Sequence, residues 1–224
     1  MRETVMHGCF EKKRRFFRVG SGNCGSSWRS AFYMNLLLRS SLHGAIGLGL
    51  MSSLAYSIWA FAPHAAGSEA KMYALIALVY LAGSGLVLSG LLKGVNRLQR
   101  FYAMFLPAFA GYAVLWSLAW FVLKQRAGEW TGAALSTVFF AWTIWSFLGR
   151  PLGFWLAAFV LFTLHTFGYF MGAAWMHGLL ERGIEGWEQS QVVVAAKLGW
   201  GLFHGLGFGS GMGFAFGWWQ RLTK

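Results

Sequence analysis

The chain has 224 residues, of which 57% are hydrophobic, 18% aromatic and only 12% charged, with a mean hydropathy of +0.50. Soluble domains carry about 25% charged residues, so this composition fits lipid as the main solvent and excludes an ordinary water-soluble globule. The net charge of +12 does not point to nucleic acid, because 8 of the 19 basic residues precede residue 40 and the rest gather at the ends of apolar runs, the pattern that orients a chain in a membrane.

Residues 1–33 are polar and basic, with Lys12, Lys13, Arg14, Arg15 and Arg18 followed by a Gly/Ser-rich patch over 20–27. A disordered leader is expected there. Met34, followed by Asn35-Leu36-Leu37-Leu38-Arg39, reads equally well as an initiator just ahead of a first span. Cys9 and Cys24 lack CxxC or metal-type spacing and are expected to be free thiols.

The remainder, 34–224, holds six apolar runs, at about 42–62, 72–92, 101–123, 131–149, 152–176 and 198–219. Each is long enough to cross roughly 30 Å of hydrocarbon as a helix rising about 1.5 Å per residue. Isolated strands would leave backbone groups unpaired in lipid. The expected fold is therefore all-α: a polytopic transmembrane helical bundle with six spans. Ala60-Phe61-Ala62 resembles a signal-peptidase site, but Pro63 directly after it fits an extended protease groove poorly, so the first span is expected to stay as an anchor. Pro107, one turn before Gly111, is expected to kink the third span.

The leader, Lys93/Arg97/Arg100, Arg150 and Arg221/Lys224 put 14 of the 19 basic residues on alternate connections; Lys71, Lys124, Arg126, Arg182 and Lys197 fall on the others. The richer side is expected to be cytoplasmic. Both termini then lie inside a bacterial-type inner (cell) membrane, and the connection carrying Glu181, Glu185 and Glu188 lies outside. Trp130, Trp187, Trp218 and Trp219 suit an interfacial belt.

The sixth run contains Gly201, Gly205, Gly209, Gly213 and Gly217, a small residue at every fourth position. On a helix such a row follows one edge and drifts about 40° per step, which lets a neighbour approach closely. Its expected partner is the fifth or second span, where Gly168/Gly172 and Gly85/Ser89 offer matching small pairs, or else another membrane subunit or a second copy of the chain.

Polar groups inside a bilayer are costly and call for partners. His43 sits at the rim of the first span, but His165 and His204 lie deep. The former is about 20 Å above the inner start of its span and the latter about 9 Å below the outer start of its own, so both are expected at one depth. One expectation is a cofactor pair, two imidazoles ligating a b-type haem or one ligating a pigment. A second is that each bonds a neighbouring helix or a hydroxyl such as Thr163, Thr166, Ser136 or Thr137, and a third is a transition metal or proton relay. His177, Glu181, Glu185 and Glu188 would align on one helical face able to attract a divalent cation, but Gly178, Gly183 and Gly186 interrupt that helix, and solvated loop carboxylates are the commoner case.

Phe203-His204-Gly205-Leu206-Gly207-Phe208 is similar to a His-Gly-x-Gly-Phe stretch in a late helix of the hydrogenase and urease accessory nickel permeases. The resemblance covers only these residues. The family's early helix carries His-x-x-x-Gly-x-Asp-His, and this chain contains no Asp, so the activity is not carried over.

All 7 acidic residues are Glu, and none falls within the apolar runs, which leaves carboxylate-pair catalysis without raw material. Phosphate-loop, dinucleotide, HExxH and GxSxG motifs are also missing. The leading expectation is a non-catalytic helix-packing subunit or assembly factor of a larger membrane complex, with the bilayer and other membrane subunits as partners. The alternatives are an electron-transfer subunit binding haem through His165 and His204, and a small-solute or metal-ion permease.

Overall fold

The computed structural model describes the backbone of residues 24–62 and 67–222 and the side chains of 34–62 and 67–221. The first 23 residues of the leader, Cys9 and Pro63 lie outside the described residues. The chain divides into Met1–Leu36 and Leu37–Lys224. Within the first unit only the start of helix α1, which begins at Cys24, is described.

Every regular element among the described residues is helical: α1 (Cys24–Phe61), α2 (Glu69–Leu88, continued by a 3-10 turn at Ser89–Leu91), α3 (Arg97–Leu123), α4 (Gln125–Phe147), α5 (Phe154–Arg182) and α6 (Gln189–Leu222). Five of these are long and apolar enough to cross a membrane: Met34–Phe61, Glu69–Leu91, Arg97–Leu123, Phe154–Arg182 and Gln189–Arg221. The exception is α4. Three of its hydroxyl residues turn inward, with Ser136, Thr137 and Thr143 buried, and the hydroxyls of Thr137 and Thr143 bond back to the Ala133 and Phe139 carbonyls at 2.5 Å and 3.0 Å. Back-bonded hydroxyls lower the hydropathy of a helix without leaving it unsatisfied.

Local chemistry explains the helix boundaries. Ser68 caps α2, its side chain accepting from the Lys71 N–H. α5 stops at Gly183, whose φ of 67° suits glycine. Only Lys124 separates α3 from α4, and it holds φ 55°, ψ 170°, a conformation that disfavours side chains but reverses the chain in one step. α4 consequently begins several residues before the expected 131, and takes Glu129 into the helix. α3 runs unbroken through Pro107.

Each helix is antiparallel to the one before it. Added Cβ atoms at Gly47 and Gly83 would meet Val87 and Met51; Gly111 faces Phe139, Gly132 faces Trp116, and Gly172 faces Trp200. The broadest faces join α5 to α6 and α3 to α4, with α4 also against α5. Outside, apolar side chains stay uncovered, Ile46, Leu50 and Leu54 on α1 and Phe159 and Phe167 on α5 among them, the surface a bilayer requires.

α6 is the centre of the bundle. Phe208, Met212, Phe216 and Trp219 are buried on it, with Phe208 against Phe140 at 5.1 Å and Tyr112 at 5.6 Å between ring centres. The expected ladder occupies a second edge, and its partner is neither α5 nor α2 but α1: Gly201 faces Tyr56, Gly205 faces Leu48 and Ser52, Gly209 faces Gly44, and Gly213 and Gly217 face Ser40. The α5 contact uses other glycines, Gly207 on Gly168 and Gly211 on Leu161. The row follows α1 along its whole length, while Gly207 and Gly211, each two residues on from a ladder position and so about 200° around the axis, face α5. Gly85, the other expected small partner, lies against the Tyr102 ring of α3.

At the end of α6 the buried Gln220 fastens the α2–α3 connection. Its Oε1 accepts from the Lys93 N–H at 2.7 Å, and its Nε2 donates to the Leu91 and Phe216 carbonyls at 2.8 Å and 3.2 Å. Gln220→Leu keeps the volume but leaves buried backbone groups unmatched, and is expected to cost about 1–3 kcal/mol, read as a lower unfolding temperature in detergent. An unchanged transition would show that this fastening carries no weight.

Candidate functional site

His165 and His204, on the antiparallel α5 and α6, come together with ring centres 5.3 Å apart and planes at 77°. Two turns of α5 bearing Leu161 and Gly168 lie against Gly211 and Gly207, so the backbones beside the imidazoles are already in contact. His165 is fully buried. Its partner is the Tyr112 hydroxyl of α3, 2.8 Å from Nε2, and none of the threonines or serines expected from sequence. Ser136 and Thr137 bond back to Ala133, and Thr166 Oγ1 has no hydrogen-bond partner among the described residues. Nor has Nδ1 of either histidine.

A haem held by both imidazoles would need room for its flat ring between them and a free nitrogen of each imidazole aimed at the iron. Here His165 Nε2 is taken by the Tyr112 hydroxyl at 2.8 Å, and Gly168 against Gly207 leaves no slab between the helices. The two residues do not fit that group in this arrangement. Among the described residues no three His, Cys, Asp or Glu side chains converge as metal ligands. His177, Glu181, Glu185 and Glu188 do not share a helical face, because α5 ends at Arg182 and the last two acids follow in an irregular, exposed connection.

His204 instead lines a cleft, with the fully buried His165 behind it on the Tyr112 hydroxyl. One lobe, of ≈ 300 Å³, is walled by Tyr56 of α1, Tyr112 and Trp116 of α3, Tyr169 of α5, and Trp200 and His204 of α6. A second lobe, of ≈ 470 Å³, shares Trp116, Ser117, Tyr169 and Trp200 and continues to Glu129 and His177 near the ends of α4 and α5. Trp116 and Tyr169 meet edge to face at 5.0 Å, and Tyr169 and Trp200 at 6.3 Å. The Tyr169 hydroxyl donates to Glu129 Oε1 at 3.4 Å, and the Trp200 Nε1 is buried without a partner among the described residues. Concave apolar walls with a few convergent polar groups are what a small-molecule site requires.

No protein-family model matches the chain, and no curated protein or solved structure is significantly similar to it. Its function is therefore argued from the cleft alone.

Sequence reasoning picked out His165 and His204 but missed the walls. Tyr112 and Tyr169 each follow a glycine, Gly111 and Gly168, at comparable places in their spans, which was the one available signal. Glu129 gave none, since it stands in the polar stretch between two apolar runs and looks like part of a loop.

Proposed function

We propose that the chain is a non-catalytic, six-span protein of a bacterial-type cytoplasmic membrane, with both ends inside, whose task is to bind a small ligand in the aromatic cleft. The cleft is the observation that carries this reading: two lobes totalling several hundred cubic ångströms, one of them lined by Tyr112 and His204. Ser117, which lines both lobes, makes no hydrogen bond to His204, His177 or Glu129 among the described residues, so no activated nucleophile supports a catalytic reading. The ladder of α6 faces this chain's own α1, so association with another subunit or a second copy through that edge has less support than binding within the bundle.

Six crossings rest on α4. Its 23 residues extend about 34 Å, enough to span the hydrocarbon. It pairs with α3 from Gly128 to Phe139 and with α5 from Trp130 to Trp145, and so follows two apolar helices along their depth. The basic connections then alternate with poorer ones, and the richer set falls on the cytoplasmic side.

The binding role is tested by thermal unfolding in a neutral maltoside detergent. Small aromatic solutes are expected to raise the transition temperature of the natural chain, and Ala113→Trp, which fills the first lobe, is expected to abolish that rise. An equal rise in both proteins would place the binding elsewhere and contradict the reading.

A further inference from the structure

Glu129 is the single formally charged side chain among those lining either lobe, and it stands half-buried at the rim of a wall of rings. Its one hydrogen bond among the described residues is the long 3.4 Å contact from Tyr169. No lysine or arginine of the described residues lies within ion-pair distance of it. Arg126, one turn earlier on the same helix, is exposed, and Lys197 is engaged elsewhere: its Nζ lies 4.5 Å from the Trp59 ring centre and donates to the Trp59 carbonyl at 3.1 Å. A carboxylate partly withdrawn from water beside aromatic faces, without a counter-charge from its own chain, gains from a cation that joins it.

We propose that the cleft takes an organic cation, an alkylammonium or benzylammonium-type molecule whose charge sits against Glu129 and whose body lies among Trp116, Tyr169 and Trp200. The inference rests on the reading of the cleft as a binding site, and adds the class of ligand. A metal ion is the poorer match, since hard cations want six or more oxygen ligands and this wall offers rings with one carboxylate. An anion would meet Glu129 directly. A neutral solute would leave the carboxylate uncompensated. Ring faces and a carboxylate together favour ammonium groups, the rings through their negative π-faces and the carboxylate through charge. The same aromatic group already holds one ammonium: Lys197 lies over Trp59, and Trp59 is edge to face with Trp200 at 6.0 Å.

The test is equilibrium dialysis of the full chain, purified in a neutral maltoside detergent, against benzyltrimethylammonium and against N,N-dimethylbenzamide, a neutral molecule of similar bulk. Glu129→Gln runs alongside, with its helical circular dichroism and elution volume checked against the natural chain. The proposal expects the cation to bind at least about tenfold more tightly than the amide, and Glu129→Gln to remove most of that difference while leaving amide binding unchanged. Equal affinities for the two probes, or a cation affinity untouched by Glu129→Gln, would overturn the choice of ligand and leave the cleft reading in place. Binding of neither probe would overturn both.

Discussion

Gly209→Leu is expected to prevent recovery of the folded bundle, and Gly209→Ala to lower its stability by about 1–3 kcal/mol, the usual cost of overpacking a close contact. The reason lies in the α1–α6 seam. A Cβ at Gly209 would overlap the carbonyl oxygen of Gly44, one at Gly205 the carbonyl of Leu48, and one at Gly213 the carbonyl of Ser40. Backbone on both sides cannot yield as a flexible side chain can, so the helices must part along their length. In lipid, where apolar side chains gain nothing by leaving the tails, this close packing is a main source of association. Gly178 gives the control: it also lies in a helix, on α5, but a Cβ there meets open space. Gly178→Ala is expected to be neutral or to stabilise by up to about 1 kcal/mol, because alanine favours helix. Both are measured by thermal unfolding and by the monodisperse fraction in detergent. Equal behaviour of the two alanine variants would show that the seam does not hold the bundle.

His165→Ala is expected to cost about 2–4 kcal/mol, combining a cavity with an abandoned hydrogen bond. The imidazole is fully buried and lies within 5.2–5.5 Å, between ring centres, of Phe208, His204 and Tyr112, so its loss empties the meeting point of α3, α5 and α6. It also strips the Tyr112 hydroxyl of its 2.8 Å partner. Tyr112→Phe removes only the bond and keeps the ring stack with Phe109 and Phe208, so its cost is expected to be smaller, about 1–3 kcal/mol. If Tyr112→Phe proved the more damaging, the packing role given to His165 would be wrong.

Much of the bundle was legible because lipid imposes a simple pattern: long apolar runs, charges at their ends, and backbone satisfied within each helix. The start of α4 was not, since it depends on the unusual conformation of Lys124, which no propensity announces. The ladder was visible as a row of small residues, but which helix it meets depends on how the row winds relative to five others. That His165 and His204 stand at one level followed from counting turns; the choice of Tyr112 as a partner did not, because a tyrosine inside an apolar run looks the same whether it faces lipid, an aromatic stack or a histidine. Glu129 illustrates the converse: its charge was plain, and only the geometry turns it from a loop residue into part of a wall.

The most direct test of the six-span account is the sidedness of the connection between α4 and α5. With Cys9 and Cys24 replaced, single cysteines at Val95, Arg150 and Glu185 would be labelled in intact cells with an impermeant maleimide, with lysed cells as the control for reactivity. The account predicts labelling of intact cells at 185 alone, with 95 and 150 reached only after lysis. Labelling at 150 from outside would mean that α4 does not cross, and that the two ends of the chain lie on opposite sides of the membrane.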